Sequence, residues 1–265
     1  MKTLNVRGIE LGAGVPKTIV PIVAKTKADI LVKAKEITQL PADLVEWRAD
    51  FYEDLFNILP LLDTLKQLRA ILGETPILFT IRTEPEGGEV APLFDEYSHT
   101  NLTVAKTGYV DLVDVEMFWG NDDWAYEDTS DDSDELVERI QKANCHVVGS
   151  RHNFSGTPDD SDYMSDTLLK MQDANVDIPK IAVMPENESD VVNLIKASVE
   201  FKEKADRPFL TISMGPLGMM SRVACELSGS CMTFGAAGQV SAPGQIQVGE
   251  LKDMLTKIHN AQAGA

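Results

Sequence analysis

Leu44-Val45-Glu46-Trp47-Arg48 opens the stretch that decides the fold. Residues 54–72 follow, with Leu55, Ile58, Leu59, Leu62, Leu65, Leu68 and Leu72 at three- and four-residue steps, and then Ile77-Leu78-Phe79-Thr80-Ile81-Arg82. A short apolar run, a helical stripe and a second short apolar run make a βαβ unit, in which the helix carries the chain back so that both strands run parallel. Working outward, the alternation repeats. Strand-like runs fall at 18–23, 112–116, 146–150, 180–184, 209–213 and 232–235. Helical patterns occupy 25–38, 97–107, 134–143, 162–174, 189–204, 219–228 and 248–260. Eight strand–helix repeats in about 250 residues is the count of a (β/α)8 barrel. A dinucleotide-binding sheet would place a Gly-x-Gly-x-x-Gly turn after its first strand, and Val20-Pro21-Ile22-Val23-Ala24-Lys25 contains none. The expectation is therefore an α/β protein of TIM-barrel architecture forming one domain over residues 1–265. Residues 1–17, punctuated by Gly8, Gly12 and Gly14, form a hairpin closing the barrel bottom, and residues 18–262 form the barrel.

Composition narrows the function. Against 24 Lys+Arg the chain carries 42 Asp+Glu, a net charge of −18. A polyanion binder needs clustered cations to displace counterions, so nucleic acid is excluded as a partner, and an anionic membrane surface is disfavoured on the same ground. No apolar run approaches the ~20 residues of a membrane span. Residues 1–7 lack a signal-peptide core, and the cysteines point to the cytoplasm. Cys145, Cys225 and Cys231 are odd in number and follow no zinc spacing; they read as reduced, buried thiols.

In a parallel barrel the site is built at the carboxyl ends of the strands. Glu46 and Arg48 share a face there, either as an ion pair in a lower layer or as ligand contacts. Arg82 ends the third strand, and Glu84-Pro85-Glu86-Gly87-Gly88-Glu89 after it, taken alone, reads as a mobile acidic loop. Asp114 and Glu116 are inward carboxylates suited to tuning or orienting a partner. His152 alone of four histidines stands just past a strand end, where acid–base chemistry is built. Lys180 sits in an apolar strand, sharing a face with Ala182 and Met184. Two readings stand for it: a solvated lysine beginning its strand, or an inward amine held neutral by desolvation and able to attack a ketone. No His/Asp/Glu set reads as metal ligands. Arg222, in the first turns after strand seven, and Ser241 and Gln245, after strand eight, are suited to a carboxylate or phosphate.

Six pieces in order carry a resemblance. They are Glu46-Trp47-Arg48; Phe79-Thr80-Ile81-Arg82 with Glu86-Gly87-Gly88-Glu89; Ser150-x-His152-Asn153-Phe154 with Thr157-Pro158; Ile178-Pro179-Lys180-Ile181-Ala182-Val183-Met184-Pro185; Ser213-Met214-Gly215 with Ser221-Arg222; and Ser241-Ala242-Pro243-Gly244-Gln245-Ile246. Together, over nearly the whole chain, they resemble the type I 3-dehydroquinate dehydratases of the shikimate pathway. The resemblance implies dehydration of 3-dehydroquinate to 3-dehydroshikimate through a lysine imine, with neither metal nor cofactor, in a homodimer. Lys180 matches the imine-forming lysine, His152 the general acid/base and Glu86 the acid that orients the histidine. Arg222 matches the residue holding the substrate carboxylate. Glu46, Arg48, Arg82, Ser241 and Gln245 match substrate-binding positions, and Met214 and Phe234 apolar walls. Pro21 stands where some relatives carry Ser, and Asn153 where Asp is frequent. The interval from His152 to Lys180 and the stretch 121–135 are longer than in relatives.

Another imine-forming barrel lyase, such as a keto-sugar aldolase, would share the lysine but not need Arg222, Ser241 and Gln245 to grip a carboxylated ring. A catalytically dead binding barrel would not need Lys180, His152 and Glu86 together. The acidic excess has an address: residues 121–135 hold eight acids and no base, and Asp159, Asp160, Asp162 and Asp166 add four. Both stretches belong to the catalytic rim. The pocket inside, with Lys180, Arg82, Arg151 and Arg222, is expected to carry the opposite sign.

Overall fold

Arg7 and Gly8 both adopt positive φ (47° and 82°), the backbone of a two-residue hairpin turn. They join β1 (Leu4–Val6) to β2 (Ile9–Leu11) in an antiparallel pair. The computed structural model describes residues 2–120, 128–238, 246–262 and 264. Beyond the hairpin the chain alternates as the sequence predicts. The order is β3 (Lys17–Ile22), α1 (Lys27–Ile37), β4 (Leu44–Arg48), α2 (Ile58–Leu72), β5 (Ile77–Thr80), α3 (Phe94–Ala105), β6 (Leu112–Glu116) and α4 (Asp131–Lys142). Then come β7 (His146–Asn153), α5 (Ser161–Asp173), β8 (Ile178–Val183), α6 (Glu188–Lys204), β9 (Leu210–Ser213), the short α7 (Met219–Val223) and α8 (Cys225–Ser228), β10 (Met232–Phe234) and α9 (Val248–Gln262).

The eight strands from β3 to β10 form one parallel sheet in the order β10-β3-β4-β5-β6-β7-β8-β9. The seam between β9 and β10 is drawn together by Cys231 N–H donating to Phe209 O at 2.8 Å and by a parallel Phe209–Ser230 bridge. This is the nearly closed (β/α)8 barrel expected. Alternation sorts the side chains. Val45, Trp47, Ile77, Phe79, Val113, Val115, Ile181 and Val183 point out into the core shared with the helices. Ile19, Leu44, Leu78, Leu112, Val148, Ile178, Leu210 and Met232 point in and fill the lower barrel, where Val6 and Leu11 of the hairpin pack on them. Arg7 ties the hairpin down by ion pairs to Asp111 and to Glu74 (3.3 Å), and Arg69 holds Asp111 from the other side at 2.6 Å.

Several boundaries move for identifiable reasons. Tight turns occupy residues 54–57, with Asn57 N–H bonded to Asp54 O at 3.0 Å, so α2 starts at Ile58 rather than at 54. The stretch expected as one helix at 219–228 is two, broken at Ala224 (φ −85°, ψ 11°). The strand expected to begin at Lys180 begins at Ile178. Proline's fixed φ is compatible with extended backbone and it lacks only one donor, so Pro179 continues the strand rather than bounding it. Among the described residues no helix is long and apolar enough to cross a membrane. Cys145, Cys225 and Cys231 are free and buried, and burial pushes their thiols up, that of Cys225 to about 12, so none is a ready thiolate.

Candidate active site

Above the apolar lower layer the inward positions turn polar. Glu46, Thr80, Asp114, Ser150 and Lys180 come next along β4 to β8, and Arg48, Arg82, Glu116, His152 and Ala182 follow at the mouth. The same period-2 pleat that fills the lower barrel with leucine and valine thus assembles the site. Because the strand starts at Ile178, Lys180 is its third residue and points inward, only 3% exposed. Of the two readings of Lys180, the solvated one is overturned: the side chain is buried inside the barrel. In register, Ser150 lies beside Lys180 and His152 beside Ala182, so His152 stands one pleat above the amine on the adjoining strand and a small side chain separates them.

Arg82 is the hub, though β5 itself ends at Thr80. Its Nη1 donates to Glu116 Oε1 (2.8 Å), Glu86 Oε2 (3.1 Å) and Ser150 Oγ (3.1 Å), and its Nη2 to Asp114 Oδ1 (2.7 Å). Glu116 also accepts from Thr83 N–H (2.9 Å) and Thr83 Oγ1–H (2.6 Å). Asp114 accepts from Ser150 Oγ (2.6 Å) and, through Oδ2, from Lys180 Nζ (3.1 Å). Phe234 lies with its ring centroid 5.6 Å from Nζ, and Met214 packs on the same inner cluster.

Glu86 ends a 3-10 turn, Glu84–Glu86, and the loop expected from residue type alone to be mobile is pinned. Gly87 takes φ 81°, and a Cβ on Gly88 would lie 1.9 Å from Arg82 O, so only glycine lets the chain fold back this closely. Glu86 is thereby delivered to His152. Its Oε2 accepts the His152 backbone N–H at 3.1 Å and lies 2.8 Å from Nδ1. An oxygen that accepts from His152 N–H and from Arg82 acts as acceptor toward the ring too, which places the imidazole proton on Nδ1 and leaves the Nε2 lone pair free. Burial, reinforced by the Arg82, Lys180 and Arg48 charges, holds His152 well below the ordinary imidazole range. Burial and the neighbouring Glu116 carboxylate raise Glu86, against the pull of Arg82. The result is a neutral imidazole with a fixed tautomer.

Of the two readings of Glu46 and Arg48, the mutual ion pair is not formed. Glu46 accepts from Thr80 Oγ1 at 3.0 Å, while Arg48 makes a two-pronged bond to Asp50 (2.8 and 2.7 Å) with its guanidinium 5.0 Å from the centre of the Phe51 ring. Five carboxylates, Glu46, Asp50, Glu86, Asp114 and Glu116, and five cations, Arg48, Arg82, Arg151, Lys180 and Arg222, line the site. Burial raises the Glu86 and Glu116 carboxyls, so the acidic excess of the rim does not extend inside. Arg222, on α7, makes one weak bond from Nη1 to Phe234 O (3.3 Å), and its buried Nε has no partner among the described residues. Within that set it is a cation with donors to spare. Ser241 and Gln245 lie outside the described residues. Ser150, Thr80 and Thr83 were missed from sequence, although the pleat parity of Ser150 with His152 was a usable signal. Among the described residues no group of three or more His, Cys, Asp or Glu is arranged to hold a metal ion.

Fold and site together define a (β/α)8-barrel enzyme with its polar machinery at the carboxyl-terminal mouth. The chain belongs to the type I 3-dehydroquinase family, whose model matches residues 18–262, and this places it among the hydro-lyases. It is 42% identical over 261 residues to a 3-dehydroquinate dehydratase of Clostridioides difficile, covering 98% of each chain. It is 43% identical to that of Listeria monocytogenes serotype 4a over 98% of this chain and 99% of the relative. A crystal structure of the type I enzyme from Clostridium difficile with covalently modified comenic acid superposes with a TM-score of 0.91 at 42% identity, over 98% of this chain and 99% of that one. The Geobacillus kaustophilus 3-dehydroquinate dehydratase structure gives 0.90 at 34% identity, over 98% and 97%.

Proposed function

We propose that this chain dehydrates 3-dehydroquinate to 3-dehydroshikimate through an imine on Lys180. The observation that carries the reading is the meeting of a buried amine and a neutral, tautomer-fixed imidazole on adjacent strands of one mouth. The amine condenses with the substrate ketone. The resulting imine is an electron sink that makes the neighbouring C–H acidic, so that His152 Nε2 can remove that proton. Electrons return to expel the hydroxyl, which leaves as water with a proton supplied by His152. Hydrolysis of the product imine then restores Lys180. Glu86 keeps the ring oriented. Arg222 takes the substrate carboxylate, a reading supported by its buried Nε, which has no partner among the described residues. Glu46, Arg48, Arg82, Ser241 and Gln245 contact the ring hydroxyls and carbonyl.

Borohydride added with 3-dehydroquinate tests this reading: a stable adduct on Lys180 by intact mass is expected, and its absence overturns the imine. A dehydration assay following the enone product measures turnover. His152→Ala is expected to keep adduct formation while losing about 10²- to 10⁴-fold in kcat; full turnover would remove His152 from its role. Because the folded protein holds His152 below the ordinary imidazole value of ~6.5, the base stays unprotonated into mildly acid solution. The acid limb of the kcat/KM profile therefore lies below ~pH 6.5. Arg222→Ala is expected to raise KM about 10- to 100-fold with a small change in kcat, and an unchanged KM contradicts the carboxylate assignment. The same reading extends to a single-domain chain acting as a homodimer in the cytoplasm on the shikimate pathway. Sequence resemblance over nearly the whole chain supports it, and sedimentation analysis tests the dimer.

A further inference from the structure

Asp114 has no part in the reaction as set out so far, yet it is the carboxylate paired with the reacting nitrogen. It is completely buried. Ser150 Oγ (2.6 Å) and Arg82 Nη2 (2.7 Å) lock its Oδ1, which leaves Oδ2 directed at Lys180 Nζ, 3.1 Å away. The backbone is clamped too: the Tyr97 hydroxyl donates to Asp114 O at 3.3 Å and accepts from Glu116 N–H at 3.0 Å. The other carboxylates of the mouth are engaged elsewhere, Glu116 by Thr83 and Arg82, Glu86 by His152 and Arg82, and Glu46 by Thr80.

We infer that Asp114 is the counter-ion of the covalent intermediate, holding Nζ from ammonium through iminium and fixing the plane of the C=N bond. The inference rests on the lysine-imine reading above. The charge balance favours it. A protonated lysine and a ketone give a protonated imine and one water: loss of one ammonium proton to His152 frees the nitrogen lone pair, which forms the new C–N bond while the carbonyl π pair passes to oxygen, and that oxygen leaves as water with this proton and a second one from nitrogen, both relayed through His152. One N–H and one positive charge remain on Nζ. A fixed anion beside Nζ therefore serves the start and the end of the condensation equally, with no reorganisation between them. The iminium has a single N–H, which lies in the plane of its double bond. While that N–H stays on Oδ2, the plane is set, and the neighbouring C–H can be presented across it to His152 on the next strand.

Asp114→Asn tests this. The amide oxygen can still accept from Ser150 and Arg82, while an N–H₂ group replaces the carboxylate toward Nζ. The other charged groups around the pair are Arg82 after β5, Glu116 on β6, His152 on β7, and Glu46 and Arg48 on β4; all stay in place. Borohydride trapping with 3-dehydroquinate is followed by intact mass from about pH 6 to about pH 9. The unaltered enzyme is expected to trap evenly, whereas in Asp114→Asn the trapped fraction falls about tenfold at the alkaline end, with its midpoint about one pH unit or more lower. A kcat loss of about 100-fold with KM changed less than about threefold accompanies it. Ser150→Ala, which removes one hydrogen bond to Asp114 and no charge, keeps the parent pH dependence, and thermal melts establish that both variants fold. A folded Asp114→Asn with the parent pH dependence overturns the counter-ion, as does a Ser150→Ala that reproduces the shift. No adduct in the unaltered enzyme overturns the underlying imine reading instead. Independently of any variant, the carbon resonance of carbonyl-labelled product bound to the unaltered enzyme stays at the protonated-imine position over that range; movement to the neutral-imine position overturns the inference.

Discussion

Lys180→Met is expected to lower turnover by about 10⁴-fold or more and to abolish borohydride trapping, because the proposed imine route then lacks the nucleophile that divides the reaction into two easier steps. Methionine is chosen because it nearly preserves the length of the side chain and suits its surroundings. Lys180 lies buried on β8 beside Ala182 and below the Phe234 ring. Asp114 keeps Arg82 and Ser150 as partners after the change, so the variant folds and the loss can be assigned to chemistry. The assay is single-turnover and steady-state dehydration on a preparation whose melting curve has been checked. Residual activity above about a hundredth of the parent's would show that the amine is not the nucleophile.

The largest stability effect is expected at Arg82. One guanidinium serves Asp114, Glu116, Glu86 and Ser150. A buried ion network is weak evidence for stability when compared with an apolar replacement of the whole set, but removal of one partner strands the others. Arg82→Met leaves three carboxylates without their common cation, at a cost of about 3–5 kcal/mol, read from urea denaturation. The pH dependence has a definite sign. Glu86 and Glu116 already have folded pKa values raised by burial, and Arg82 is the charge that offsets this in each. Without it both rise further. An acid with a raised folded pKa favours the folded state below that pKa and disfavours it as pH climbs. The deficit of Arg82→Met is therefore largest near neutrality and shrinks in acid. A variant as stable as the parent near neutrality would contradict the hub.

The fold was legible because two periodicities coincide with two chemistries. β4 and β6 have the bounds read from sequence, 44–48 and 112–116, since each is a short apolar run closed by turn residues. Lys180 was harder. A proline beside a lysine reads as punctuation, and only the register of β8 against β7 shows that the strand has already begun at Ile178. Glu86 was illegible from local rules, because nothing in Glu-Pro-Glu-Gly-Gly-Glu states that a Cβ on Gly88 would collide with Arg82. That contact depends on how the loop folds back on its own strand, and the bond of Glu46 to Thr80 on the neighbouring strand is long-range information, whereas Arg48 turns to nearby Asp50. The acids at the starts of α4 and α5 fell where a helix N-terminus favours them, with Asp131, Asp132 and Asp134 in the first turn of α4 and Asp160 capping α5. Net charge gave no account of the interior, where the pairing of individual groups decides.

The hairpin and the apolar layer above it make the barrel a vessel with one opening. Val6 and Leu11 stopper the floor against eight inward aliphatic and thioether side chains, and Arg7 anchors the stopper to Asp111. Among the described residues the apolar side chains of that floor offer water no partner. Substrate, product and every water molecule formed or consumed at the lysine must share the mouth, so a ligand that fills the mouth also confines whatever water was trapped beneath it. Traffic through this enzyme is a queue at a single door, and residues that line the door govern departure as well as entry.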